Sequence, residues 1–196
     1  MTKTICFDFG NTRLKAAIFE NDKFSEEIVL PNDKTATIEK LLADHYPQKT
    51  ILSSVIEHNI EIENLLAAKT KFHKLSHLTK ANFTTPVGKP ESIGADRLAL
   101  SAAAVHFFPG KNNLVVALGS CITYNFINQY GEFIGGSITY EIDGFMEEYA
   151  RKYSNFNAVL TGGDTSYFAG QLKNKIFADP YFLFKGLYAL SETNNG

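Results

Sequence analysis

Two short turns of glycine and small polar residues follow apolar stretches of the sequence, and each could surround a phosphate group. The first turn, in the segment DFGNT, is made by Gly10, Asn11 and Thr12. Its small side chains let backbone amides approach phosphate oxygens, and Asp8 could hold a Mg²⁺ ion that bridges those oxygens. Lys15 follows Asp8 closely and could add a positive charge. An ordinary hairpin with Asp8 as a turn residue explains the same pattern, so this alternative stays open.

A second turn, Gly119-Ser120, has the same character and also follows an apolar stretch. If the two turns face each other, they form a clamp for phosphates. Further along, LTGGD joins an apolar stretch to a polar helix start, and its Gly162 and Gly163 would let a phosphate or a flat ring approach the backbone. A tight strand-to-helix turn capped by Asp164 explains LTGGD equally well.

The segment IGADR places two charged side chains in the first turn of a predicted alanine-rich helix. Asp96 could accept the proton of a substrate hydroxyl, and Arg97 could hold a carboxylate, the group that its planar guanidinium fits best. An aspartate near a helix N-terminus is also favoured by the helix dipole without any function. Both interpretations of Asp96 therefore stay open.

Composition limits the kinds of protein that could carry these motifs. The chain has 196 residues, 44% hydrophobic and 20% charged, which is typical of a globular protein with one large or two small domains. Its net charge of −2 offers no basic surface, so we expect no nucleic-acid partner. Cys6 and Cys121 are too few for a disulfide framework, and their apolar surroundings are typical of buried, reduced thiols in the cytoplasm. The apolar stretch 98–108 is about half of the roughly 20 residues that cross a bilayer, and we expect no targeting segment and no membrane partner.

Alternating strands and helices must position the motifs. The apolar patterns predict strands at 4–9, 14–19, 23–30, 50–55, 114–118, 122–128, 132–138 and 158–160. They predict helices at 35–45, 59–67, 94–108 and 142–153. Superposing Gly10 on Gly119 aligns strand, turn, strand and turn in both halves, which indicates a duplication, although so common a pattern could match by chance. The turn Pro109-Gly110 then divides an N-terminal domain, 1–110, from a C-terminal domain, 111–196.

Four motifs occur along the chain in the order DFGNTRLK, GADR, GSCITYNF and LTGGD. With these motifs the chain resembles the type III pantothenate kinases, the group that includes Bvg accessory factor-like proteins. The resemblance implies an α/β fold of two duplicated ribonuclease-H-like domains, as in actin-like ATPases, with ATP in the cleft between them. It implies ATP- and Mg²⁺-dependent phosphorylation of pantothenate to 4′-phosphopantothenate, the first step of coenzyme A biosynthesis, in the cytoplasm. It also implies a homodimer, and we expect the alanine-rich helix to pack against its twin in the partner subunit.

The resemblance also implies roles for individual residues. Asp96 would be the catalytic proton acceptor, and Asp8 would hold Mg²⁺ through the phosphates. The implied ATP-binding residues are Asp8, Gly10, Asn11, Thr12, Lys15, Gly119, Ser120, Gly162 and Gly163. The implied pantothenate-binding residues are Gly94, Ala95, Asp96 and Arg97.

Three departures from the family pattern concern the substrate and cation sites. Ala117 stands where the family has the aspartate that binds an activating K⁺ or NH₄⁺ ion, and Asn125 replaces a further aspartate. We therefore expect little dependence on a monovalent cation. The segment GGSITY runs directly into EIDG, where the family has a longer segment that contacts substrate, and the loop 85–90 is short and lacks a substrate-facing tyrosine. These departures keep open the alternative of a catalytically impaired paralogue that binds nucleotide or has a regulatory role.

Overall fold

The first half of the chain forms a five-stranded sheet with two helices on one face. The computed structural model describes residues 2–86, 88–138, 142–153, 155–172 and 176–195. The strands are β1 (Lys3–Phe9), β2 (Leu14–Glu20), β3 (Lys23–Leu30), β4 (Lys49–Ser54) and β5 (Lys71–Lys74), and the helices are α1 (Thr35–His45) and α2 (Glu61–Lys69). The strand order is β3-β2-β1-β4-β5. β1, β2 and β3 are antiparallel neighbours, whereas β4 runs parallel to both β1 and β5.

The second half repeats this plan. A short 3₁₀ turn (Pro90–Ser92) leads into α3 (Ala95–Phe107), and the strands that follow are β6 (Asn112–Leu118), β7 (Ile122–Ile127), β8 (Phe133–Ile138), β9 (Phe156–Gly162) and β10 (Phe177–Ala178). The further helices are α4 (Ile142–Lys152), α5 (Thr165–Ala169) and α6 (Phe182–Asn194). The strand order is β8-β7-β6-β9-β10, so β6 to β10 occupy the places of β1 to β5. β6 is antiparallel to β7 and parallel to β9, as β1 is to β2 and β4. The predicted duplicated α/β fold is confirmed.

The two sheets enclose a middle layer of two helices, α3 and α6. Successive residues of a strand point to opposite faces, so Ile5 and Phe7 pack against α1 and α2, whereas Cys6 faces the middle layer. α3 packs against the first sheet through Leu98 and against the second through Leu100. Helices α4 and α5 cover the outer face of the second sheet. The order of layers is therefore helices, sheet, helices, sheet, helices.

The middle layer corrects one expectation about α3. Four of its alanines are fully buried, but they pack against α6 and the two sheets of the same chain rather than being left free for a twin helix, namely Ala99, Ala102, Ala103 and Ala104. A Cβ added at Gly186 of α6 would lie 1.9 Å from the backbone oxygen of Ala99, so the two helices touch backbone to backbone. The homodimer itself stays a prediction, but this face of α3 cannot provide its interface.

Other predictions concern the connections between elements. The proposed domain boundary lies in the turn between α3 and β6, where Gly110 has a φ of +69° that favours glycine. It stays a proposal, and α6, although late in the sequence, packs against β1 and β4 as well as the second half. Val87, in the short loop, and residues 139–141, in the junction of GGSITY with EIDG, lie outside the described residues. None of the helices in the described ranges has the length and apolar character needed to cross a bilayer.

Candidate active site

A cleft of about 360 Å³ lies between the two halves, at the carboxyl ends of the central strands. Its size falls within the usual range for small-molecule sites. The cleft is lined by ten residues that the sequence analysis assigned to ATP or catalysis, namely Asp8, Gly10, Asn11, Thr12, Lys15, Asp96, Gly119, Ser120, Gly162 and Gly163. Ala117 also lines it. The structure therefore brings these residues together, and their individual roles stay predictions.

Two hairpin turns form opposite parts of the cleft wall, and they close in the same way. The Gly10 N–H donates to the Arg13 carbonyl at 3.1 Å, and the Gly119 N–H donates to the Cys121 carbonyl at 3.2 Å. Each bond ties a turn that follows the central strand of its sheet. Cys121 is therefore in a turn, partly exposed and in contact with the cleft, so the expectation of a buried thiol is wrong for this residue. Cys6 is buried as expected.

The LTGGD segment supplies a third part of the wall. Gly162 has a φ of +106°, and a Cβ there would lie 2.1 Å from the Leu118 carbonyl oxygen, so only glycine fits this close approach to β6. The hydroxyl of Thr165 donates to the Gly162 carbonyl at 2.7 Å. The Asp164 side chain makes no capping hydrogen bond at the start of α5. The interpretation of Asp164 as a helix cap is therefore not supported, and the glycines keep the wall open.

Two carboxyl groups, Asp8 of β1 and Asp96 of α3, face the same cleft. Burial, reinforced by the negative charge of Asp96, raises the pKa of Asp8 from its ordinary value of 3.8 to about 7. Burial also raises the pKa of Asp96, against the opposing effects of the Arg97 N–H and the Arg97 charge. A carboxyl group with a raised pKa is a better proton acceptor at neutral pH than an exposed one.

A residue that the sequence analysis missed, Glu27 of β3, joins this group. Both Glu27 carboxylate oxygens lie 3.0 Å from the Lys15 ammonium nitrogen, and both residues line the cleft. Lys15 sits opposite Asp8 in the β1–β2 register, on the same face of the sheet. The Lys15 ammonium group is therefore held in the cleft wall, beside the first turn, by Glu27 rather than by Asp8. The alternation of residues along β3 could have indicated the direction of Glu27. Glu27 is the strand neighbour of Ala17, whose side chain faces the middle layer of helices.

Arg97 is hydrogen-bonded within the protein, and its role as a substrate clamp stays a prediction. Its Nε donates to the Asn125 Oδ1 at 2.6 Å, and its Nη2 donates to the Tyr124 carbonyl at 3.3 Å. The guanidinium lies 5.5 Å from the centre of the Phe133 ring, and a Cβ at Gly136 would collide with it at 1.9 Å. The side chain thus links α3 to β7 and β8. Among the described residues, the lining of the cleft includes Asp96 but not Gly94, Ala95 or Arg97.

The donor set of the cleft fits Mg²⁺ better than it fits a tightly bound transition metal. No group of three or more His, Cys, Asp and Glu side chains that could hold a metal occurs among the residues the structure describes. Mg²⁺ instead takes one or two carboxylates together with phosphate oxygens and water. Asp8 provides such a carboxylate in the cleft that both small-residue turns line. Ala117 supplies no side-chain oxygen to a monovalent cation.

The architecture is similar to that of a solved kinase structure. In fold, the chain is similar to the inorganic polyphosphate/ATP-glucomannokinase of Arthrobacter sp. strain KM, with a TM-score of 0.56 and 15% identity over 98% of each chain. This similarity supports the two-half α/β kinase fold.

The sequence comparisons define the family. The model of the type III pantothenate kinase family matches residues 4–160. Curated type III pantothenate kinases of Flavobacterium johnsoniae and Christiangramia forsetii are 31% and 29% identical to this chain. The alignments cover 92% and 97% of this chain and 93% and 98% of those proteins. This chain therefore belongs to the type III pantothenate kinase family, and the predicted family is confirmed.

The same alignments show a difference in length. The alignment with the Flavobacterium johnsoniae protein extends over 229 positions, more than the 196 residues of this chain. That relative therefore has residues with no counterpart here.

Proposed function

We propose that this protein transfers the terminal phosphoryl group of ATP to the primary hydroxyl of pantothenate, which gives 4′-phosphopantothenate for coenzyme A biosynthesis. The observation that carries the proposal is the pairing of Asp8 with Asp96 in a cleft lined by both small-residue turns. Family membership supplies the substrates, since the relatives are named pantothenate kinases.

The chemistry follows from the positions of the two carboxylates. The hydroxyl oxygen of pantothenate forms a bond to the γ-phosphorus while the bond from that phosphorus to the β–γ bridging oxygen breaks and ADP leaves. The hydroxyl proton passes to Asp96, whose raised pKa suits a proton acceptor. Lys15, held by Glu27, places a positive charge near the transferred group.

Asp8 and the phosphate oxygens would hold Mg²⁺. The bound ion would offset the charge that develops on the phosphates. Such an arrangement leaves Asp96 free to act on the hydroxyl, because the two carboxylates come from different elements of the fold. We also propose that the protein works in the cytoplasm as a homodimer, with little dependence on K⁺ or NH₄⁺ because Ala117 offers no carboxylate.

A coupled assay that measures ADP release on addition of pantothenate tests the proposal, with mass spectrometry to identify the phosphorylated product. The wild type should turn over only with ATP, Mg²⁺ and pantothenate together. Asp96→Asn should still bind ATP in calorimetry but lose at least a hundredfold in rate, since general-base catalysis contributes about that much. Failure of the wild type to bind ATP at millimolar concentration would refute the proposal.

A second candidate function is a catalytically impaired paralogue that binds nucleotide as a regulatory protein. It is favoured by the engagement of Arg97 with Asn125 away from the cleft. The residues of relatives that have no counterpart here favour it as well. ATP binding without any turnover of pantothenate, in the same two measurements, would support this second function.

A further inference from the structure

Two buried hydroxyl groups at equivalent places in the two halves lack hydrogen-bond partners. Ser53 is 0% exposed and Thr161 2% exposed, and neither hydroxyl has a partner among the described residues. Ser53 is the β4 neighbour of Asp8, and Thr161 is the β9 neighbour of Ala117. Because nearly all buried polar groups in folded proteins are hydrogen-bonded, each of these hydroxyls needs an explanation.

The two hydroxyls differ in what they face. Thr161 follows Val159 by two residues, so its side chain lies on the inner face of the second sheet, and it forms part of the cleft wall. Ser53 lies on the inner face of the first sheet but is not among the residues that line the cleft. The duplicated plan thus provides an internal comparison between one unpartnered hydroxyl that lines the cleft and one that does not.

The neighbours of Thr161 leave its hydroxyl without an acceptor among the residues that the structure describes. Ala117, beside it on β6, has a methyl group that neither donates nor accepts a hydrogen bond. Gly163, two residues further on, has open space where a side chain would stand, and both Thr161 and Gly163 line the cleft. A ligand in the cleft that carries oxygen acceptors would complete its hydrogen bonding.

We propose that the hydroxyl of Thr161 donates a hydrogen bond to a phosphate oxygen of ATP. This inference rests on the proposed function, which places ATP in the cleft. Phosphate oxygens are strong acceptors, and a hydrogen bond to an ionised acceptor is about twice as strong as one between neutral groups. Thr161 is thus a binding residue in addition to the glycines of the LTGGD segment.

The test compares three variants by calorimetry with Mg-ATP and by urea unfolding without ligand. Thr161→Val keeps the shape of the side chain and removes the hydroxyl, and Thr161→Ser keeps the hydroxyl. Ser53→Ala removes the equivalent unpartnered hydroxyl, which does not line the cleft, and is the matched control. Thr161→Val should raise the Kd for ATP about tenfold, whereas Thr161→Ser and Ser53→Ala should stay within threefold of the wild type.

Unfolding separates this role from a structural one. Since the hydroxyl has no partner in the described part of the ligand-free protein, Thr161→Val should be at least as resistant to urea as the wild type. Adenosine, which lacks phosphates, should bind Thr161→Val and the wild type alike.

Four results would overturn the inference. They are an unchanged ATP affinity in Thr161→Val, equal losses in Thr161→Val and Ser53→Ala, an equal loss for adenosine, and a loss that disappears when K⁺ is omitted. The last result would assign the hydroxyl to a cation. If the wild type does not bind ATP at all, the proposed function fails together with the inference, whereas normal wild-type binding with an unchanged variant refutes the inference alone.

Discussion

Replacing Asp8 with asparagine should stabilise the ligand-free protein at neutral pH and have much less effect in acid. The pKa of Asp8 is about 7 in the folded protein against an ordinary value of 3.8, which we take for the unfolded chain. As the pH rises between these values, the unfolded chain loses the Asp8 proton while the folded protein still keeps it. Folding stability therefore falls from about pH 4 upwards and levels off above pH 7.

The size of the effect follows from the two pKa values. At 1.36 kcal/mol per pKa unit, the whole difference corresponds to roughly 4 kcal/mol, of which about 2.5 kcal/mol develops between pH 5 and pH 8. Asparagine stays neutral at every pH, so the Asp8→Asn protein does not undergo the loss of folding stability that Asp8 causes as the pH rises. The free energy of unfolding of Asp8→Asn, relative to the wild type, should therefore rise by about 2.5 kcal/mol from pH 5 to pH 8.

Urea unfolding at both pH values, in EDTA and without nucleotide, measures this difference. Asp44→Asn, at an exposed position of α1, is the control and should show no comparable gain. Calorimetry of the same Asp8 variant with ATP should show that Mg²⁺ no longer strengthens binding. A relative stability that is the same at pH 5 and pH 8, or larger at pH 5, would refute the reasoning about burial of Asp8.

Three further changes test other parts of the structure. Gly186→Ala should destabilise the fold by about 2 kcal/mol in urea, because the added Cβ would overlap the α3 backbone. Gly170→Ala is the control and should not destabilise the fold, since nothing lies within 4 Å of its added Cβ. Equal effects of the two changes would contradict the close packing of α3 and α6. Glu27→Gln should weaken ATP binding in calorimetry about fivefold, equivalent to about 1 kcal/mol, since Lys15 loses its charged partner. In a Lys15→Met background, Glu27→Gln should not weaken ATP binding further. A further fivefold loss of ATP affinity there would show that Glu27 acts independently of Lys15. Ala117→Asp should make ATP binding depend on K⁺ when K⁺ and Na⁺ buffers are compared, and strong K⁺ dependence of the unmodified chain would contradict the loss of the cation site.

The sequence was most informative where a local pattern alone determines the structure. The turn at Gly10 and its counterpart at Gly119 could be aligned because strand alternation and small turn residues are local properties. β5 was not predicted, since KFHK is a short, polar edge strand with no apolar alternation. α6 was also not predicted, and its Gly186 is unfavourable inside a helix unless another helix approaches closely.

Parts of the site depended on contacts between distant segments. The direction of Arg97 is set by Asn125 and Phe133, which lie on β7 and β8 of the second sheet. The role of Glu27 required knowing that β3 places it beside Lys15. Long side chains such as arginine can reach in several directions, so residue type and spacing do not specify their partners.

The position of α6 also affects how the chain acquires its structure during synthesis. Phe184 and Leu187 of α6 cover the inner face of the first sheet, where they meet Cys6 and Ile51. Until the ribosome has released residues 182–194, that face lacks the cover of α6 and has α3 as its only helix, so the N-terminal half should remain loosely packed and sensitive to proteases. Contacts between such distant segments also slow folding. Despite the repeated plan, the two halves should reach their final packing together, as one cooperative unit.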